Sequence, residues 1–185
     1  MYTIKNYYTE LPVSEYMEKY VDIPTFLECC KVCPNYNKVW TCPTFDFDVE
    51  EYWKKYKTIA LYGHQIVFDE ETKNRTFSQE ELNNFIEEVI QKEKQILTDR
   101  LFTLEKEHPG SISLSAGSCQ YCGKGNCSKT KNQPCRYPEK LRYSIESLGG
   151  NVGKTIFDCF QIELEWVEEG KLPGHFVLVC ALLMN

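Results

Sequence analysis

Long apolar runs are missing from this sequence. The longest, Phe176 to Met184 (FVLVCALLM), is nine residues, less than half of the roughly 20 that an α-helix needs to cross a bilayer. The opening segment MYTIKNYYTELPVSEY has neither the apolar stretch nor the small-residue cleavage site of a secretory leader. No membrane association is expected, and a cytoplasmic location is. An excess of positive charge is missing too. Lys and Arg number 21 against 27 Asp and Glu, a net charge of −6 with a pI near 5.2. A net-acidic surface is not drawn to nucleic acid or to acidic lipid, so neither is an expected partner. Histidine is scarce, at three residues. No phosphate-cradling glycine loop, dinucleotide fingerprint, His–Cys arrangement or Ser-His-Asp order can be read along the chain, and there is no repeat.

Cysteine, by contrast, is plentiful. There are ten, and in a reducing compartment clustered thiols read as metal ligands or catalytic groups before they read as disulfides. The later cluster lies in GSCQYCGKGNCSKTKNQPCRYPEK, a segment too polar to build a core. Its spacing is Cys119-x2-Cys122-x4-Cys127-x7-Cys135. Two intervening residues let both sulfurs of a C-x2-C pair converge on one centre while backbone N–H groups point inward. Four thiolates satisfy a zinc site or a cubane iron–sulfur cluster, and Gly123 and Gly125 provide the backbone freedom to wrap either. The earlier cluster is Cys30-x2-Cys33-Pro34 with Cys42-Pro43, and Cys29 is a further candidate. Cys-Pro steps are common around iron–sulfur clusters. Trp40, Tyr36, Phe45 and Phe47 are equally readable as a shield for that centre or as plain core.

Structural zinc favours two close pairs joined by a long spacer. The later cluster has one tight pair followed by two singly spaced cysteines, which suits a 4Fe-4S type centre better; zinc is the alternative. One or two centres are both open, since ferredoxin-like motifs exchange ligands. The segments CKVCPNYNKVWTCP and CQYCGKGNCSKTKNQPCRYPEKLRYSIESLGGNV resemble a cysteine-rich family catalogued as predicted metal-binding proteins, a domain of unknown function from anaerobic bacteria and archaea. The resemblance runs from about Cys30 to Val152 and is most specific at Cys135-Arg136-Tyr137-Pro138-Glu139. It implies metal or iron–sulfur binding with no assigned reaction. Two departures, Thr44 after Pro43 in place of a second proline and Gly149-Gly150-Asn151-Val152 in place of Gly-Ile-Asp-Val, touch no cysteine.

Other residues are weighed against blander roles. Arg136, directly after a cysteine, is a candidate to hydrogen-bond cluster sulfurs, its alternative being a surface ion pair with Glu139. Lys124, Lys129, Lys131, Arg136, Lys140 and Arg142 form a local basic patch that would offset a metal–thiolate centre or receive an acidic protein. Cys159 and Cys180, within apolar stretches, read as core. His64 reads as structural before it reads as an acid–base group.

The expected fold is α+β: a small, mostly antiparallel sheet of about four strands with helices on one face, interrupted by the two cysteine segments. A single domain, 1–185, is expected. It divides into a loop-rich N-terminal cysteine segment (1–47), an α/β core (48–118), the cysteine loop (119–137) and C-terminal helices and strands (138–185). Within it, a short helix is expected near Ser14 to Lys19, another capped by Asp48, and a buried strand TIALYGHQIVF. A long amphipathic helix opens at the Ser78/Glu81 capping box and runs to about Lys106, with Leu82, Phe85, Ile86, Val89, Ile90, Ile96, Leu97, Leu101 and Leu104 on its apolar face. SISLSAG, QIELEW and HFVLVCALLM are expected strands. Further helices are expected from Pro138 to Gly149 and after Asn151. Three functions follow: an iron–sulfur protein exchanging electrons with a redox partner, a zinc-stabilised interaction module, or an enzyme or accessory subunit whose three-cysteine centre leaves one metal position open.

Overall fold

In the computed structural model, which describes residues 1–168 and 170–185, the chain opens on a strand. Tyr2–Pro12 (β1) alternates between half-buried and exposed residues with a break of phase at Lys5-Asn6, so that Tyr2 and Ile4 pack on one side of the sheet and Tyr7 and Leu11 on the other. This corrects the expectation of a loop-rich first 47 residues. The inward positions, Tyr2, Ile4, Tyr7, Thr9 and Leu11, are interleaved with Lys, Asn and Glu, so no apolar run announces them. Val13–Tyr20 (α1) follows. Ile23–Lys31 (α2) comes next, started by the Asp22 carboxylate, which accepts from Thr25 N at 3.1 Å, and by Pro24 in the first turn. Both are ordinary helix-start chemistry. Helix α2 was not foreseen, and it carries Cys29 and Cys30 in its last turn.

The remaining elements are Val49–Lys54 (α3), Thr58–Phe68 (β2), Glu70–Lys73 (α4), Gln79–Glu107 (α5), Ile112–Leu114 (β3), Val152–Phe160 (α6) and His175–Met184 (β4). The expected caps are in place: Asp48 on Glu51 N at 2.9 Å, Asn151 on Lys154 N at 2.8 Å, and the reciprocal Ser78–Glu81 box. Together these give the α+β fold. Its sheet has the order β1-β2-β4-β3, antiparallel throughout.

Helices were expected on one face of this sheet, and they cover both. Ile59 and Leu61 of β2 with Val179, Ala181 and Leu183 of β4 pack against Tyr16, Trp53, Ile156 and Phe160 from α1, α3 and α6. The alternate residues Ala60, Tyr62, Cys180 and Leu182 meet Leu97 and Leu101 of α5, and Ile66 and Phe68 meet Leu82 and Val89. Two-sided cover is why β2 and β4 read as nearly continuous apolar runs. Each large side chain fully removed from water there contributes roughly 1.5–3 kcal/mol.

Helix α5 departs from its expected apolar face in two places. Ile96 is exposed, while Glu93 lies on the buried face. The Glu93 carboxylate accepts from Tyr2 OH at 2.7 Å and lies 2.9 Å from His64 Nε2; His64 Nδ1 lies 3.0 Å from Asn6 Oδ1. Both ring nitrogens of His64 are thus engaged in tying β1 and β2 to α5.

Two expected elements do not form. Pro138 to Gly149 is no helix; it contains two short 3-10 turns, Pro138–Lys140 and Glu146–Leu148. The stretch between them is drawn alongside the end of β3, where Ser115 N donates to Tyr143 O at 2.7 Å. QIELEW runs irregularly after α6, held by His175 Nε2 at 2.9 Å from Glu163 O and by the Glu165 carboxylate, which accepts from Gly174 N. Among the described residues no helix is long and apolar enough to cross a membrane.

Candidate metal centre

The later cysteine segment leaves β3 and folds back over α5. Its local shape comes from tight turns: Gly123 N donates to Gln120 O at 2.9 Å and Asn126 N to Gly123 O at 3.2 Å. Gly123 and Gly125 have φ of 76° and 74°, a region that L side chains enter at a cost. A 3-10 turn, Ser128–Lys131, then follows Cys127, whose carbonyl accepts from Thr130 Oγ1 at 2.8 Å. The earlier segment is a series of turns leaving α2. Cys33 N donates to Cys30 O and Cys42 N to Val39 O, both at 3.0 Å.

These two segments, about 90 residues apart in sequence, form one module. Asn35 Nδ2 donates to Ser118 Oγ at 3.0 Å, and Cys119 N donates to Thr41 Oγ1 at 3.2 Å. Trp40 Nε1 reaches Ser128 Oγ and Gln133 O, each at 3.2 Å. Lys129 turns inward. Its ammonium lies 5.5 Å from the centroid of the Trp40 ring and donates to the carbonyls of Cys42 (3.1 Å), Thr44 (3.2 Å) and Val39 (3.4 Å). From below, Lys94 of α5 donates to Ser118 O at 3.2 Å.

Cys119, Cys122, Cys127 and Cys135 are all half-buried and line one cavity of about 910 Å³. Trp40 and Thr41 of the earlier segment and Ile86 and Ile90 of α5 contribute to its walls. Burial pushes the Cys119 thiol up, and the neighbouring Cys135, Cys127 and Cys122 push it further, against a backbone hydrogen bond at Tyr121. The earlier group behaves alike. Burial raises Cys30, reinforced by Cys33, Cys29 and Glu146. Burial also takes Cys42 to about 11, with Cys33 and Cys30 adding to it and Thr41 and Lys129 opposing. Each group is therefore a set of thiols that would repel one another as thiolates, and a cation among them reverses that sign.

Among the described residues no three Cys, His, Asp or Glu side chains already converge as a finished chelate. The four later cysteines line one cavity without meeting at a point, and of the earlier group it is Cys30 that lines a cavity. Their chemistry nonetheless fits the thiophilic metals, since four half-buried thiols around one cavity match the donor number of zinc or of a cubane cluster. Cys29 and Cys33 are exposed, Cys30 and Cys42 half-buried. Arg136 is exposed; within the later loop it is Lys129, rather than Arg136, that reaches into the module. Phe45 and Phe47 stack at 4.9 Å and join Tyr52 and Tyr143 against the main core, while also lining a small cavity beside Cys30. Cys180 is buried in the core, and Cys159 packs with its sulfur 3.8 Å from Tyr20 OH.

Sequence reasoning missed Lys94, Thr41 and Glu146. A lysine at mid-helix, a threonine between Trp and Cys and a glutamate in a turn carry no motif; only the folded arrangement brings them to the cysteines. Lys129 was noticed as one of six basic residues but not for its inward role. The family described as Predicted metal-binding protein (DUF2284) matches residues 19–184, and the chain belongs to it. The chain matches no curated protein and no solved structure.

Proposed function

We propose that this member of a predicted metal-binding family holds an iron–sulfur centre of the 4Fe-4S type at Cys119, Cys122, Cys127 and Cys135. A second metal centre forms at Cys30, Cys33 and Cys42, and the protein serves electron transfer as a redox accessory to a partner protein. The observation that carries this reading is the lining of one cavity by all four later thiols. That the earlier segment is pinned to the later one by Lys129, Trp40 and Thr41 supports two centres close together.

A cubane centre supplies one-electron chemistry when bound. The residues of the chain do the rest. Ile86, Ile90 and Trp40 exclude water on the inner side. The backbone amide of Cys119 is held by Thr41, fixing the orientation of the first ligand. Lys94 brings a positive charge close to Cys119, and a nearby positive charge favours the more reduced, more negative state of a centre. Lys124, Lys131, Arg136 and Lys140 are exposed on the same loop, a basic rim suited to an acidic redox partner.

Protein purified without oxygen should be brown, with a broad visible charge-transfer band and iron and acid-labile sulfide in equal amounts. A colourless protein carrying stoichiometric zinc after the same purification would replace this reading with the zinc-stabilised interaction module.

A further inference from the structure

Beside the earlier cysteines the chain buries a carboxylate with one oxygen left unpartnered. Glu146 begins the 3-10 turn Glu146–Leu148, and its Oε2 is sealed from solvent with no hydrogen-bond partner. Burying a carboxylate oxygen without a partner is costly in its charged form, so its retention asks for an explanation. Burial holds this acid above the usual carboxylate range; its own backbone amide, Ser144 and the charge of Lys94 oppose that without cancelling it. Lys94 gives a hydrogen bond to Ser118 O instead.

Of the earlier cysteines it is Cys30 that shares a cavity with the carboxylate; Cys33 and Cys42 lie outside that lining, close enough that, on top of burial, Cys33 raises Cys30 and both raise Cys42. Glu146 and Cys30 line the same cavity, about 270 Å³, with Pro43, Phe45 and Phe47 completing an apolar wall. The turn is pressed onto α2: Asp22 N donates to Gly149 O at 2.9 Å. A Cβ on Gly149 would lie 2.8 Å from Ile23 Cα, and that glycine has φ of 82°. The fold thus uses a glycine to bring the turn bearing Glu146 against the helix bearing Cys30.

We propose that the Glu146 carboxylate is the fourth donor of the earlier centre, so that Cys30, Cys33, Cys42 and Glu146 hold one divalent ion of borderline softness, zinc or ferrous iron, through three sulfurs and one oxygen. This rests on the reading of Cys30, Cys33 and Cys42 as ligands. It accounts for the incomplete cysteine count of that group, because four donors are what such ions take from protein. It also accounts for the orphaned oxygen, which a cation satisfies without any protein donor. The two centres then differ in kind: the later one all-thiolate, the earlier one mixed.

The test uses the full chain, stripped of metal under anaerobic reducing conditions and titrated with cobalt(II), whose thiolate charge-transfer bands report each centre. The wild type is expected to take up two equivalents. Glu146→Gln and Cys30→Ser should each weaken one of the two by at least about ten- to a hundredfold and leave the other intact, and the double variant should be no worse than Cys30→Ser alone. The retained equivalent serves as the control for folding. Metal-free Glu146→Gln should melt at or above the wild type, since the change removes a buried carboxylate with an unpartnered oxygen. A merely structural glutamate would instead lower that melting point. If Cys30→Ser loses one equivalent while Glu146→Gln binds both as the wild type does, Glu146 is not a ligand and the cysteine reading stands. If Cys30→Ser also binds both unchanged, the earlier centre itself is refuted, and this inference with it.

Discussion

At the scale of single residues, Lys129 ties the later cysteine segment to the earlier one. Its ammonium is shared among three carbonyls of the earlier segment, those of Val39, Cys42 and Thr44, at the cost of partial burial, which lowers its affinity for a proton. Hydrogen bonds to a charged group are each worth about 1.5–3 kcal/mol at best, and three that converge on one half-exposed ammonium are not additive. Lys129→Met keeps the stem over Trp40 and deletes the donors. It should destabilise the metal-free protein by about 1–3 kcal/mol in urea denaturation and speed alkylation of Cys42 under native conditions. Unchanged labelling of Cys42 would show that Lys129 does not hold that loop. The basic patch of the later segment is accordingly two populations: Lys129 and Arg142 are spent inside the fold, while Lys124, Lys131, Arg136 and Lys140 remain outside.

At the scale of elements, α5 is fastened to the sheet at two points by acids. Glu105 accepts from Arg142 Nε at 2.7 Å and Nη2 at 2.6 Å, and from Ser113 N at 2.7 Å. This ties α5, β3 and the segment following the cysteine loop. Burial acts to raise Glu105, but Arg142 and Ser113 overcome it, and the net shift is downward. Glu93 is also lowered on balance, with burial opposed by Tyr2 and His64. A depressed acid lends stability that is complete above its unfolded pKa, near 4.3 for Glu, and is lost as pH falls through its lower folded value. Stability should therefore hold down to about pH 5 and decline below it. Glu105→Gln should be less stable by about 1.5–3 kcal/mol at neutral pH and show a shallower decline between pH 5 and 3. Parallel pH profiles for the two proteins would contradict this role for Glu105.

The same scale shows what could be read in advance. Elements whose reason for existing is local were legible: the capped helices α3, α5 and α6, and the apolar strands β2 and β4. Strand β1 was not, because its inward residues are spaced by polar ones and its partners lie between 46 (Pro12 with Thr58) and 66 (Tyr2 with Phe68) residues away. Pro138 to Gly149 misled because proline-first, glycine-last chemistry was outweighed by tertiary contacts of Tyr143 and Arg142 with β3 and α5. The cysteines were visible as candidate ligands from spacing. Glu146 was invisible, since what marks it is the lack of a partner in the folded chain.

For the molecule as a whole, a two-sided α+β core carries a second body organised by polar contacts around thiols. Apart from Phe45 and Phe47 the cysteine loops contribute little hydrocarbon to the core, so hydrogen bonds between the segments hold the module, and a bound metal would add its own binding free energy to folding. Removing that metal should lower the melting temperature of the module while the sheet and α5 remain folded. The direct measurement is metal content and thermal stability of anaerobically prepared Cys122→Ser beside the wild type, because Cys122 belongs to the later group and takes no part in the hydrogen bonds that join the two segments. The account predicts that this variant loses the metal of the later centre and melts at a lower temperature. Metal content and melting behaviour equal to the wild type would contradict it.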